Sequence, residues 1–173
     1  MRTLFEIDTK DYDISLAPKI RPSVRAIIIK DGRVAMVHSG LYNYYKFPGG
    51  GIEANETHED ALIREVREET GLIAVRESIR EFGRVYRIQR CEVDDARPFV
   101  QENFYYLCEC DGQGAQRLDE YESTERFTLK YVSAEEAIAT NREATAPSAV
   151  MREREARVLE ILMKEGRRCG ASQ

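Results

Sequence analysis

The most informative residues of the chain are acidic side chains at fixed spacing after a run of glycines. From Gly50 onward the segment contains the pattern Gly-x5-Glu-x7-Arg-Glu-Val-x-Glu-Glu-x-Gly-Leu. Its fixed positions are Gly50, Glu56, Arg64, Glu65, Glu68, Glu69 and Gly71. Carboxylates are ligands that Mg²⁺ and Mn²⁺ prefer, and glycines let the backbone approach a ligand closely. The segment therefore predicts a divalent metal site that holds a diphosphate.

A helix from about residue 58 to residue 70 is expected to carry these acids. Thr57 and Asp60 resemble a capping box at its start, with Asp in place of the usual Glu. Gly71 suits the position after its end, where a positive φ is favoured. These signals predict where the acidic helix begins and ends.

The last three glutamates of the pattern fall within about 100° of arc on this helix. Leu62 and Val66 occupy a different arc, which can face a sheet. Because like charges so close repel one another, they destabilise an isolated helix by a few tenths of a kcal/mol per pair, about 0.2–0.5. A bound divalent cation would remove that repulsion, so the arrangement favours metal binding.

A solvated, charge-rich helix is the alternative interpretation of this segment. The short run Glu-Val-Arg-Glu-Glu taken alone would favour it. Seven identities at fixed spacing, each residue type on the order of one in fifteen by average usage, make a chance match rarer than about one in a million. We therefore favour the metal site.

The segment resembles, at every defining position, the signature box of the Nudix hydrolases. The resemblance covers roughly residues 22–140 and is most specific over 47–72, where Phe-Pro-Gly-Gly-Gly leads into the box. It implies the Nudix fold, an α/β (α+β) architecture in which an α/β/α sandwich surrounds a mixed β-sheet. It also implies magnesium-dependent hydrolysis of the diphosphate bond in a nucleoside diphosphate linked to another moiety.

The resemblance also assigns roles within the box. Glu65, Glu68 and Glu69 would be catalytic metal ligands, Gly49 would add a carbonyl, and Arg64 would orient the carboxylates. The cofactor implied is Mg²⁺, with Mn²⁺ as an alternative.

Members of the family often add a carboxylate from a later strand or loop. Glu102 is the first candidate for this further metal ligand, and the loop that carries Glu120, Glu122 and Glu125 is the second. Any of these could instead be a plain surface acid. The proton acceptor in the reaction would be Glu65 or an acid of the later loop.

The sequence indicates the substrate-binding residues less specifically than the metal ligands. The candidates are Gly50, Gly51, Tyr44, Tyr45 and Arg84. The tyrosines could stack on a base or simply pack in a loop and sheet. Arg84, with Arg87 and Arg90 on the same predicted strand, could contact a phosphate or a ribose, or lie exposed with no specific role.

The pattern leaves several substrate classes open: a nucleotide sugar such as ADP-ribose, a nucleoside triphosphate or a dinucleoside polyphosphate. The rival hypothesis is a non-catalytic nucleotide-sensing Nudix module that regulates a partner. An inactive sensor would often have lost box carboxylates, whereas this chain retains all of them. The hydrolase is therefore the favoured reading.

The remaining pattern predicts strands and two further helices around the acidic helix. Expected strands cover 23–30, 33–38, 99–110 and 127–132, with one or two more within 72–90, and an Asp31-Gly32 hairpin joins the first two. Helices are expected over 134–140, after Ser133, and over 149–165, ending at Gly166. Residues 1–21 are expected to form an arm or strand, and residues 22–173 a single domain.

The composition limits the classes of partner that the chain can bind. The net charge is −5, with 42% hydrophobic and 33% charged residues, which argues against duplex nucleic acid as a ligand. No apolar run approaches the roughly 18 residues of a membrane span, and the N-terminus does not resemble a signal peptide.

The cysteines, which are expected to be reduced thiols, are Cys91, Cys108, Cys110 and Cys169. We expect a cytoplasmic protein with a small-molecule nucleotide substrate; homodimers are frequent among similar proteins.

Overall fold

The computed structural model describes residues 1–91, 93 and 96–170, with side chains up to residue 166, so the Cys169 side chain lies outside the described residues. The strands are β1 Thr3–Asp8, β2 Lys19–Ile20, β3 Ser23–Ile27, β4 Ile29–Lys30, β5 Arg33–Ser39, β6 Tyr44–Lys46, β7 Leu72–Ala74, β8 Arg80–Arg90, β9 Pro98–Leu107, β10 Cys110–Gln113 and β11 Phe127–Val132. The helices are α1 His58–Thr70, α2 Glu120–Thr124, α3 Ala134–Glu143 and α4 Ala149–Gly170.

The strands form one mixed main sheet and two smaller sheets. In the main sheet β8 and β9 are antiparallel, β1 runs parallel to β8, and β2 and β3 both run parallel to β9. In the second sheet β5 lies at the centre and pairs with β4, β6 and β11, all antiparallel. β7 and β10 form a separate antiparallel pair.

Helices cover both sides of these sheets, which confirms the predicted sandwich around a mixed sheet. On one side, Leu62 and Val66 of α1 pack with Val24 and Ala26 of β3. On the other side, residues of α3 and α4 pack with core residues such as Ile27 and Tyr105. Because successive strand residues point to opposite faces, β3 contributes to both cores.

Helix α1 has the predicted boundaries. The Thr57 side chain accepts a hydrogen bond from the Asp60 backbone N–H, and Gly71 adopts φ 74° as the residue after the helix. Both devices satisfy backbone groups that a helix end leaves unpaired. The acidic face of α1 therefore has a fixed position relative to β3.

Several expected boundaries were wrong, each for a local reason. The apolar run over 23–30 is two strands, because the chain leaves β9 after Ile27 and then pairs with β5. The expected strand over 99–110 ends at Leu107, and the Cys108 N–H donates to the Ile27 carbonyl 3.1 Å away. Helix α3 extends past Thr140 to Glu143. Helix α4 continues through Gly166, since a glycine in a helix costs only about 1 kcal/mol.

The described residues include no helix that is long and apolar enough to cross a bilayer.

A buried asparagine fixes strand β6, which leads directly into the glycine loop. The Asn141 side chain accepts from the Tyr45 N–H at 2.7 Å and donates to the Tyr45 carbonyl at 2.9 Å. Asn141 is buried in α3. This pair of bonds ties α3 to the strand that carries Lys46 and the loop behind it.

Replacing Asn141 by Ala should lower the free energy of unfolding by about 2–4 kcal/mol, because two buried backbone groups of Tyr45 lose their partners. Urea titration followed by circular dichroism would measure the loss. Glu143→Ala, at an exposed position of the same helix, should change stability by less than about 0.5 kcal/mol. Equal stability of the two variants would contradict the anchoring role of Asn141.

Candidate active site

A cleft of about 780 Å³ lies beside the acidic face of α1. Its walls are the loop Gly49–Gly51, the second half of α1 and the segment that leads into α2. The cleft thus combines the predicted glycine loop with the predicted carboxylates.

Gly49 and Gly50 must be glycines, because neighbouring groups lie too close to leave space for a Cβ. Gly49 has φ 139°, and a Cβ there would lie 2.1 Å from the Val24 carbonyl oxygen. A Cβ on Gly50 would lie 2.5 Å from both carboxylate oxygens of Glu65. The absence of side chains therefore allows the Glu65 carboxylate to rest against the loop.

Glu69 joins the helix to the loop from inside the protein. It is 1% exposed, and its Oε2 accepts from the Gly49 N–H at 2.8 Å. Its Oε1 pairs with the Lys46 ammonium, which also lies 4.7 Å from the centre of the Phe127 ring. A buried carboxylate needs such compensation, because desolvation strongly disfavours an isolated charge.

Arg64 holds the other glutamates of the box. Its Nε and Nη2 donate to the two oxygens of Glu56 at 2.6 and 2.8 Å. Its Nη1 donates to Glu65 at 2.8 Å and to Glu68 at 3.2 Å, and Nη2 also reaches the Gly51 carbonyl at 3.1 Å. One planar guanidinium thus fixes three carboxylates and the loop.

Glu122 approaches the same cleft from the opposite wall. Its carboxylate accepts from the Asp119 N–H at 3.0 Å and thereby completes a capping box at the start of α2. Burial raises the pKa of Glu122 to about 7, and the nearby Glu69 contributes to this rise. Burial, followed by the charge of Glu69, also raises the pKa of Glu65. Glu65, Glu69 and Glu122 therefore form one electrostatically coupled group, here named the carboxylate triad.

The carboxylate triad fits a hard divalent cation by its chemistry. All its donors are carboxylate oxygens, and the charge of Glu69 adds to the rise that burial causes in the pKa of Glu65 and of Glu122. The missing Cβ of Gly50 leaves space for the Glu65 carboxylate. Among the described residues, no three acidic, histidine or cysteine side chains already surround one point. Glu69 is instead held by Lys46, and the Gly49 carbonyl accepts from Arg25.

Other predicted residues lie away from the cleft. Glu102 forms an ion pair with Arg84 at 2.9 Å on the surface of β8 and β9, and neither lines the cleft. The structure does not bring Glu102 to the box, because alternate residues of β9 point to opposite faces.

Tyr44 and Tyr45 also lie outside the cleft, in the hydrophobic core. Tyr44 is fully buried and donates to the Glu125 carboxylate at 2.8 Å, and Tyr45 lies 8% exposed beside His38. Buried rings cannot stack on a base, so this geometry does not support the predicted contact.

Sequence reasoning missed Lys46 and Arg25, which contact the predicted metal ligands. Lys46 directly precedes the Phe-Pro-Gly-Gly-Gly run, and Arg25 interrupts an apolar strand. A charged residue inside an otherwise buried strand was the signal that could have found Arg25.

The profile of the NUDIX domain matches residues 19–153 of the chain. The chain belongs to the Nudix family. Its RNA pyrophosphohydrolase relative from Saccharophagus degradans is 33% identical over 127 residues, covering 68% of this chain and 74% of that protein.

Two other relatives match more closely over shorter stretches. An ADP-ribose pyrophosphatase from Methanocaldococcus jannaschii is 38% identical over 69 residues, which are 38% of this chain. An RNA pyrophosphohydrolase from Halorhodospira halophila is 44% identical over 75 residues, which are 40% of this chain. These matches span only 40% and 41% of the relatives' own lengths.

Solved structures show the same fold. A Nudix hydrolase from Nitrosomonas europaea superposes with a TM-score of 0.57 at 21% identity, covering 79% of this chain and 88% of that one. A structure from a study of MutT from Aliivibrio salmonicida and Vibrio cholerae gives 0.53 at 22% identity, covering 85% and 99%. At this identity the likeness establishes the Nudix fold alone.

The raised pKa of Glu122 predicts how the stability of the metal-free protein depends on pH. Since the folded-state pKa of about 7 exceeds the ordinary 4.5, the native state binds the proton more tightly than the unfolded chain. The free energy of unfolding should therefore fall as pH rises from about 4.5 through 7. Glu122→Gln should flatten this fall, and Gln can still complete the capping box.

Thermal unfolding in EDTA across this pH range would measure the effect. Glu120→Gln, at an exposed position of the same helix, should keep the wild-type pH dependence. Identical slopes for Glu122→Gln and the wild type would contradict the electrostatic coupling of Glu122.

Proposed function

We propose that the chain is a magnesium-dependent pyrophosphohydrolase that cleaves the diphosphate of a nucleoside diphosphate linked to another moiety. The observation that carries this proposal is the convergence of the carboxylate triad on one cleft beside the glycine loop. The names of the relatives, ADP-ribose pyrophosphatase and RNA pyrophosphohydrolase, both describe cleavage of a phosphoanhydride. A cytoplasmic location and a homodimer remain predictions from the sequence.

Glu65, Glu68 and Glu69 would hold the cation, with the Gly49 carbonyl as a further donor. When bound, Mg²⁺ polarises phosphoryl oxygens and lowers the pKa of a bound water. The protein residues hold these donors in place beforehand: Arg64 fixes Glu65 and Glu68, and the Gly49 N–H fixes Glu69.

Glu122 is the proposed proton acceptor. Its pKa of about 7 leaves a substantial carboxylate fraction at neutral pH while keeping a useful proton affinity. Glu65, with its pKa also raised, is the second candidate within the triad. Glu122 replaces Glu102 as the proposed acid from outside the box, because Glu122 lines the cleft and Glu102 does not.

Basic side chains of the same cleft would bind the substrate phosphates. Arg21 and Arg117 lie exposed on its walls, and Lys46 lies deeper beside Glu69. Their positive charge offsets that of the acids and would favour an anionic substrate over a neutral one.

A substrate panel tests the proposal most broadly. The purified protein would be incubated with Mg²⁺ and nucleotide sugars, nucleoside triphosphates, dinucleoside polyphosphates and 5′-triphosphorylated RNA, and mononucleotide or phosphate release would be measured. We expect turnover of at least one compound and none in EDTA. Bound Mg²⁺ without turnover of any compound would contradict the proposal and favour the nucleotide sensor.

Glu65→Gln should lower Mg²⁺-dependent kcat about 10²- to 10⁴-fold, because it removes a ligand charge and a candidate base. The amide oxygen can still accept from Arg64, and repulsion with Glu69 disappears, so the thermal midpoint should stay equal or rise. Glu59→Gln, at an exposed position in the first turn of α1, should retain wild-type turnover. A Glu65→Gln enzyme with near-normal kcat would remove Glu65 from the site.

A further inference from the structure

The α4-facing side of the main sheet changes from apolar to cationic along its strands. Ile27, Val85 and Tyr105 belong to the hydrophobic core on this side. Two residues further along β3, β8 and β9, the same face carries buried polar side chains, namely Arg25, Arg87 and Asn103. Since side chains on one face repeat every second residue, the three share that face. Arg25 lies beside Tyr105, Asn103 beside Val85 and Arg87 beside Gln101, so they occupy successive rows toward one end of the sheet.

A cavity of about 400 Å³ lies at this end, between the sheet and α4, and is here named the cationic cavity. Five basic side chains line it in the described part of the chain, and only one carboxylate does. These are Lys19, Arg21, Arg25, Arg87 and Arg154, with Glu125 as the acid. This local excess of positive charge contrasts with a net charge of −5 for the whole chain.

Among the described guanidinium groups that line the cavity, only that of Arg154 pairs with a carboxylate. Arg154 is fully buried and pairs with Glu155 through its Nε at 3.0 Å. Glu125 is already engaged, since its Oε2 accepts from the hydroxyl of Tyr44. Among the described residues the cavity therefore keeps buried guanidinium groups that form no ion pair, although the charge of Arg25 is partly offset by the nearby Glu65 carboxylate.

Arg25 and Arg87 are those groups. Arg25 donates through Nη1 to the Gly49 carbonyl, and Arg87 donates through Nη2 to the Gln101 side chain at 2.7 Å. The Nε of each is buried without a partner, and neither forms an ion pair within the described residues. Burial and the charges of Arg154 and Arg25 lower the pKa of Arg87 to about 9. Buried cations without counter-ions are costly unless a ligand supplies the charge.

The cationic cavity adjoins the catalytic cleft. Arg21, Arg25, Gln101, Tyr121 and Met151 line both. A molecule whose diphosphate lies beside the carboxylate triad can therefore extend into the cationic cavity. Planar guanidinium groups pair well with phosphate oxygens, and a phosphoryl dianion would balance the charges of Arg25 and Arg87.

We propose that the cationic cavity binds a second, non-scissile phosphoryl group of the substrate. The assignment to substrate rests on the proposed pyrophosphohydrolase activity, whereas the binding of a phosphoryl group does not. The preferred substrates would then carry a phosphate in addition to the diphosphate that is cleaved.

Inorganic phosphate is the probe, and the measurement is thermal unfolding of the metal-free protein in EDTA at matched ionic strength. Phosphate at ten times its Kd should raise the midpoint by about 3–6 °C, and chloride should not. Arg87→Met should weaken phosphate binding at least tenfold, yet without phosphate its midpoint should equal or exceed that of the wild type. Arg33→Met, which removes one positive charge at an exposed position of β5, should bind phosphate like the wild type.

No phosphate-specific shift, or equal shifts for Arg87→Met and the wild type, would overturn the cavity as a phosphoryl site. If Arg87→Met does not fold, Lys19→Met at the exposed mouth of the cavity serves instead and should weaken phosphate binding measurably. Unaltered binding by that variant would then overturn the site.

Inhibition by phosphate separates a substrate subsite from a site for free phosphate. With a hydrolysable compound that carries an additional phosphate, inorganic phosphate should inhibit competitively, and Arg87→Met should raise KM at least tenfold for this compound. The same variant should leave KM unchanged for the matched compound without the additional phosphate. Non-competitive inhibition would overturn the substrate assignment. Absence of any hydrolysis would refute the proposed function. The phosphate titration would still show whether the cationic cavity binds a phosphoryl group.

Discussion

The geometry of the site depends on one buried carboxylate, which connects helix α1 with the glycine loop and the strand that precedes it. Glu69 belongs to α1, and its two oxygens bind the Gly49 N–H of the loop and the Lys46 ammonium of β6. Because a buried carboxylate is stable only with such partners, the helix and the loop have one favourable relative position. That position brings the Glu65 carboxylate against Gly50, where no Cβ stands in the way.

The same arrangement accumulates negative charge that the protein itself does not fully neutralise. Burial raises the pKa of both Glu65 and Glu122, and the charge of Glu69 adds to this rise although Glu69 itself pairs with Lys46. The neighbouring cationic cavity shows the opposite imbalance, since basic side chains outnumber carboxylates in its described lining and the Nε atoms of Arg25 and Arg87 are buried without a partner. One wall of the cleft therefore favours a cation and the adjoining cavity favours an anion, as binding of a metal-complexed polyphosphate would require.

The sequence predicted the acidic helix, its caps and the fold, because these depend on local spacing and on a motif shared across the Nudix family. It did not predict which acid from outside the box faces the cleft. Glu102 and Glu122 look equivalent in sequence, and only the pairing of β8 with β9 turns Glu102 toward Arg84. The exposure of Tyr44 and Tyr45 was equally undetermined, since a tyrosine suits both a loop surface and a core. Arg25 and Arg154 are far apart in sequence, and only the packing of α4 against the sheet brings them to one cavity.

Calorimetric titration with Mg²⁺ at pH 6.5, in buffers of different ionisation enthalpy, tests the carboxylate triad most directly. Since the pKa of Glu122 is about 7, much of this carboxyl group is protonated at that pH before the metal binds. A cation held by Glu65, Glu68 and Glu69 would lie beside Glu122 and lower its pKa, so saturable binding should be accompanied by proton release. Magnesium binding without proton release, or no binding at all, would contradict the account.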